Sequence, residues 1–90
     1  MFILTIHGKE EEGAYSVRNE EGHHVLYLFE EEDDAVRYAM QLEEQGSPDM
    51  HVLEVEPDMM TGVCDTHGYD YTIITKNDIV IPPLSKHDLI

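Results

Sequence analysis

Ala35, Tyr38, Ala39 and Leu42 recur at the i, i+3, i+4 and i+7 positions that only an α-helix gathers into one stripe. Five consecutive acids, Glu30 to Asp34, run directly into this stripe. Carboxylates in a first helical turn complement the positive end of the helix dipole, and Asp33 or Asp34 can accept backbone N–H bonds as an N-cap. Arg37 stands one turn after Asp33 and is a partner for it. Val36 and Met40 are expected to broaden the buried face, and the small Ala35 and Ala39 to let the helix approach a sheet closely. Gly46 followed by Ser47-Pro48 stops the helix.

On either side of this helix the pattern is that of strands. Phe2 to His7, Ala14 to Arg18 and His23 to Phe29 are β-rich runs, the last two joined across Asn19-Glu20-Glu21-Gly22 as a hairpin. Val25, Tyr27 and Phe29 share one face of the third run and His24, Leu26 and Leu28 the other, so that strand should be central. His51 to Glu56 is a fourth strand. Pro57-Asp58 opens a second, shorter helix carrying Met59, Met60, Val63 and Cys64, capped by Gly68. Tyr69 to Thr75 is a fifth strand, and Ile79-Val80-Ile81 a short extra one before Pro82-Pro83. The order β-β-β-α-β-α-β predicts an α+β two-layer sandwich in the ferredoxin-like neighbourhood: an antiparallel or mixed sheet with both helices on one face. With 90 residues there is room for one domain, placed at 1–83, followed by a C-terminal tail at 84–90.

Charge narrows the function classes. Twenty acids against five bases give a formal charge of −15. Nucleic-acid affinity comes largely from Lys and Arg displacing counterions, so direct binding to DNA, RNA or an anionic membrane is not expected. The same charge serves solubility first, and it also suits a partner protein with a basic surface, or mimicry of nucleic acid toward a basic host protein. Cys64 is the one cysteine, so no intramolecular disulfide forms. Met1 to Ile6 is apolar but lacks a basic n-region and a cleavage site, and it reads as a first strand in a cytoplasmic protein.

No catalytic grouping is assembled by spacing. The acid run is consecutive and lacks the glycine turn of a calcium loop. The serines occupy no nucleophile elbow, and Cys64 has no supporting motif beyond the nearby His67. A zinc site wants four ligands in closely spaced pairs; Cys64 and His67 are one pair, with His7, His24 and His51 scattered elsewhere. The expectation is therefore no metal and no cofactor, with a metal-binding or enzymatic protein using Cys64 and His67 as the alternative.

The segments Leu28 to Leu42 and Val52-Leu53-Glu54-Val55 resemble the domain-of-unknown-function family 3110, small proteins of cyanobacteria, plastids and their T4-like phages. Cys64 near a helix end, Tyr71 to Thr75 and Asn77 to Pro83 are more similar to the cyanophage members. The resemblance spans most of residues 1–83 and implies action inside a photosynthetic host, with no established activity and no catalytic residues. Together with the charge it favours a non-enzymatic protein-interaction module, for which Glu30, Glu31 and Glu32, more acids than a cap requires, are the candidate protein-binding residues. Exposed sheet edges, the 79–84 segment and Leu89-Ile90 are candidate contacts for a homodimer.

Overall fold

A strand that is apolar on both faces requires cover on both, and His24–Phe29 organises the molecule accordingly. The computed structural model describes residues 1–90 except 79, 81 and 84–86, and the side chains of Glu12, His87 and Asp88 are likewise outside the description. Its elements are β1 (Phe2–Ile6), a 3-10 turn (Glu10–Glu12), β2 (Tyr15–Arg18), β3 (His24–Phe29), α1 (Glu32–Glu44), β4 (Met50–Glu54), α2 (Pro57–His67), β5 (Asp70–Ile74) and β6 (His87–Leu89). The α+β class is as the sequence predicts.

The sheet is mixed. β4 lies against β1 in antiparallel register from Phe2↔Glu54 to Ile6↔Met50. β1 meets β3 at Phe2↔Phe29, and β2 pairs with β3 through Ser16↔Leu26 to Arg18↔His24. β5 runs parallel to β3 along its other side, from Val25↔Asp70 to Phe29↔Ile74. The β2–β3 hairpin turns on Asn19, whose side-chain carbonyl accepts the N–H groups of Glu21 and His23.

The two helices lie on opposite faces of this sheet, which corrects the expectation of both on one face. Ala35, Tyr38, Ala39 and Leu42 of α1 pack with Leu4, Tyr15, Phe29 and Ile74. Cys64 and Met60 of α2 pack with Ile3, Ala14, Leu26 and Leu28. Successive strand residues point to opposite faces, so Leu26 and Leu28 need a different cover from Tyr27 and Phe29. One helix cannot serve both.

Four further expectations change. α1 starts at Glu32 with Glu31 at the N-cap position and no side-chain cap, so Asp33 and Asp34 sit within the first turn. Arg37 pairs with Asp34 at 3.1 Å rather than with Asp33. Val36 and Met40 are exposed, because the four-residue stripe fills the seam against the sheet. The region assigned to a tail supplies β6, which pairs with β2 through Tyr15↔Leu89, Ser16↔Asp88 and Val17↔His87. The strand expected at 79–81 falls partly outside the described residues; Val80 packs against the α1 core.

That core is aromatic. Tyr15, Tyr27, Phe29 and Tyr38 meet at tilted or edge-on angles, with centroids 5.4 Å apart for Phe29 and Tyr38 and 5.6 Å for Tyr15 and Tyr38, the arrangement the ring quadrupoles favour. The Tyr15 and Tyr38 hydroxyls share a buried hydrogen bond of 3.0 Å, which satisfies both inside an apolar environment. Burial pushes the Tyr15 phenol up to about 12, and burial followed by the Tyr15 hydrogen bond raises Tyr38 further. In the unfolded chain a tyrosine ionises near 10. Above that value the unfolded state releases protons that the native state retains, so stability is present below pH about 10 and falls as pH rises through it. Alkaline titration should show phenolate absorbance from Tyr15 and Tyr38 appearing together with loss of circular dichroism. Phenolate signal from the Tyr15–Tyr38 pair near pH 10 in a still folded chain would contradict the buried pair.

Candidate functional site

The acids singled out in the sequence stand at one end of β5. The Glu30 N–H donates to the Ile74 carbonyl at 2.9 Å, so the chain leaving β3 passes the last residue of β5 as it enters α1. Glu30, Glu31 and Glu32 are all exposed. None of the three side chains forms a hydrogen bond or ion pair among the described residues. They are brought together in space simply because they are consecutive, and they add their charge to the positive end of α1.

Beside them lies an apolar surface that α2 leaves uncovered. Tyr71 and Ile73 stand in register with Leu26 and Leu28 and therefore share the α2 face; they are 41% and 42% exposed. Among the described residues β5 pairs only with β3, so its other edge presents unpaired backbone groups. Met59 and Val63, four residues apart on α2, are exposed, as is Leu53 of β4. An exposed edge with large apolar side chains is a template for association; the sequence pointed to exposed sheet edges, but not to which strand would form one.

Cys64 and His67 are not brought together. Cys64 is buried beneath the sheet at 1% exposure, while His67 is exposed and stacks on Tyr69 with centroids 5.6 Å apart. Burial, then the charges of Asp65 and Asp70, pushes the Cys64 thiol up. A thiol so held is a poor nucleophile and a poor metal ligand, since both roles need the thiolate.

A different trio does converge. His7, Glu10 and His51 each offer one ligating atom, and these atoms lie within 4.8 Å of one another. The two imidazoles follow from register: Thr5 faces His51, and the His7 N–H donates to the Asp49 carbonyl at 2.9 Å, one step further along. His7 and His51 are thus diagonal neighbours on one face of the β1–β4 pair, with centroids 6.1 Å apart. The 3-10 turn swings Glu10 over them, and the Gly8 N–H donates to its Oε1 at 3.3 Å. Backbone hydrogen bonds at Glu10 and Gly8, and then the neighbouring His51 and His7, hold the Glu10 carboxyl below its ordinary range. The two histidines were legible as candidates; Glu10 was not, because a hairpin-like return of the chain at residues 8–12 carries no ligand-spacing signature.

No helix among the described residues is long and apolar enough to cross a membrane. No curated protein and no solved structure matches the chain. A family model, the domain of unknown function DUF3110, matches residues 1–84, which takes in β1 through β5 and both helices. The chain belongs to the DUF3110 family.

Proposed function

We propose that this protein is a non-enzymatic interaction module that seats an apolar ridge of a basic partner protein on the β5–α2 surface. The observation that carries the reading is an edge strand, where Tyr71 and Ile73 are exposed beside a row of backbone donors and acceptors that has no strand partner among the described residues. A partner strand added there gains main-chain hydrogen bonds, and alternate side chains supply the specificity. Glu30, Glu31 and Glu32 at the end of β5 favour a partner carrying Lys or Arg and speed its approach. Pairing of β5 with a second copy of the chain is disfavoured, since each copy carries a formal charge of −15. The resemblance to cyanophage members points to a host protein in the cytoplasm of a cyanobacterium as the partner. Leu89 and Ile90 pair through their backbones with the protein's own β2 region.

The test is affinity capture from a cyanobacterial lysate with the wild-type chain, with Tyr71→Ser/Ile73→Ser, and with Glu30, Glu31 and Glu32 changed to Gln. The apolar pair should account for about tenfold or more in affinity for the captured protein, as interface anchors do. The glutamine variant should bind more slowly and with a weaker salt dependence. Capture that is indifferent to both variants would refute the assignment.

A further inference from the structure

We propose that His7, Glu10 and His51 form a binding site for a divalent first-row transition metal ion. The three side chains come from the end of β1, the turn after it and β4, and the tertiary fold alone sets them within 4.8 Å of one another. Ligands of a tetrahedral zinc ion bind at about 2.0–2.2 Å and therefore stand roughly 3.4 Å apart. His7 and Glu10 are exposed and His51 half-buried, so rotation about side-chain bonds closes the remaining gap while the backbone stays in place. The β1–β4 ladder fixes both histidine positions, and the Gly8 N–H fixes one oxygen of Glu10. Such preorganisation distinguishes the trio from three surface residues that pass near one another by chance.

Donor chemistry selects the ion. Two imidazole nitrogens and one carboxylate suit zinc and its first-row neighbours, whereas calcium and magnesium prefer all-oxygen sets. Three protein ligands leave a fourth position for water or for a donor from a bound molecule. The site is on the β1–β4 pair, away from the β5 edge, and stands independently of the interaction surface proposed above.

Zinc chloride titrated calorimetrically into the full chain, purified without an affinity tag, tests the proposal, with calcium chloride as the comparison. One saturable zinc equivalent is expected. His7→Ala, His51→Ala and Glu10→Gln should each weaken it by about tenfold or more, and Cys64→Ser should leave it unchanged. All three ligand substitutions are at exposed or half-exposed positions, and far-ultraviolet circular dichroism verifies that each variant is folded. The strongly acidic surface attracts divalent ions diffusely, which is why calcium is informative: equal binding of the two ions, zinc binding untouched by all three substitutions, or no saturable binding would each overturn the site. Shifts of the His7 and His51 ring resonances on zinc addition, with the His67 ring unmoved, give the same answer spectroscopically.

Discussion

Phe29→Ala is expected to destabilise the protein by about 3–5 kcal/mol, the cost of removing a large aromatic from a closed core. Phe29 is fully buried, and it occupies the one position where β1, β3 and β5 all meet, opposite Phe2 on one side and Ile74 on the other. Its ring also packs on Tyr27 and Tyr38, so the cavity opens between the sheet and α1. Domains of this kind have a total stability of about 5–15 kcal/mol, and each kcal/mol shifts the midpoint by about 4–8 °C at this size. The unfolding midpoint should therefore lie roughly 12–40 °C lower than in the wild type. Met40→Ala, on the exposed side of α1, should stay within about 0.5 kcal/mol. A Phe29→Ala midpoint within a few degrees of the wild type would mean that the three-strand junction is not the centre of the core.

Gly13→Ala should be the most damaging change on the surface of the chain. Gly13 has φ +125°, a region that a residue with a Cβ enters only at a cost of about 1–3 kcal/mol. A Cβ added there would also overlap the backbone carbonyl of Ile90. That carbonyl accepts the Ala14 N–H, and the Ile90 N–H returns a bond to the Ala14 carbonyl, both at 2.9 Å. The substitution therefore separates β6 from β2 as well as straining the turn. Gly22→Ala is the comparison: its φ is +84° but nothing lies within 4 Å of the added atom, so it carries the backbone cost alone. Hydrogen exchange should show the Ala14 and Ile90 amides losing protection in the Gly13 variant and keeping it in the Gly22 variant. Equal protection in both would show that Ile90 is not held by this contact.

Local chemistry was legible to the extent that it was complete within a few residues. The Ala35–Leu42 stripe is buried as its spacing predicts, and Gly68 caps α2 in a left-handed conformation, its N–H bonded to the Cys64 carbonyl. The Asn19–Gly22 turn closes the hairpin between β2 and β3. The N-cap was placed too late because a run of five acids offers several starts of similar energy, and the entry of the chain from β3 chooses among them. β6 was missed for another reason. Its three residues are too few for a period, and their partner in β2 lies far away in the chain.

The candidate sites divide in the same way. Glu30, Glu31 and Glu32 were identifiable from the sequence, since adjacency alone makes them a cluster. His7, Glu10 and His51 meet only because the β1–β4 register and the turn at Glu10–Glu12 converge. Cys64 and His67, close in the chain, are parted because the helix buries one and exposes the other.

Periodicity and charge thus identified both helices, the strands β1 to β5 and the acidic character of the chain. Which face each helix covers, which strand edge is left open, and which histidines meet were decided by the tertiary structure. The reason is physical: these outcomes depend on strand order and register, which are set by burying both faces of β3 at once, and no local window of sequence contains that requirement.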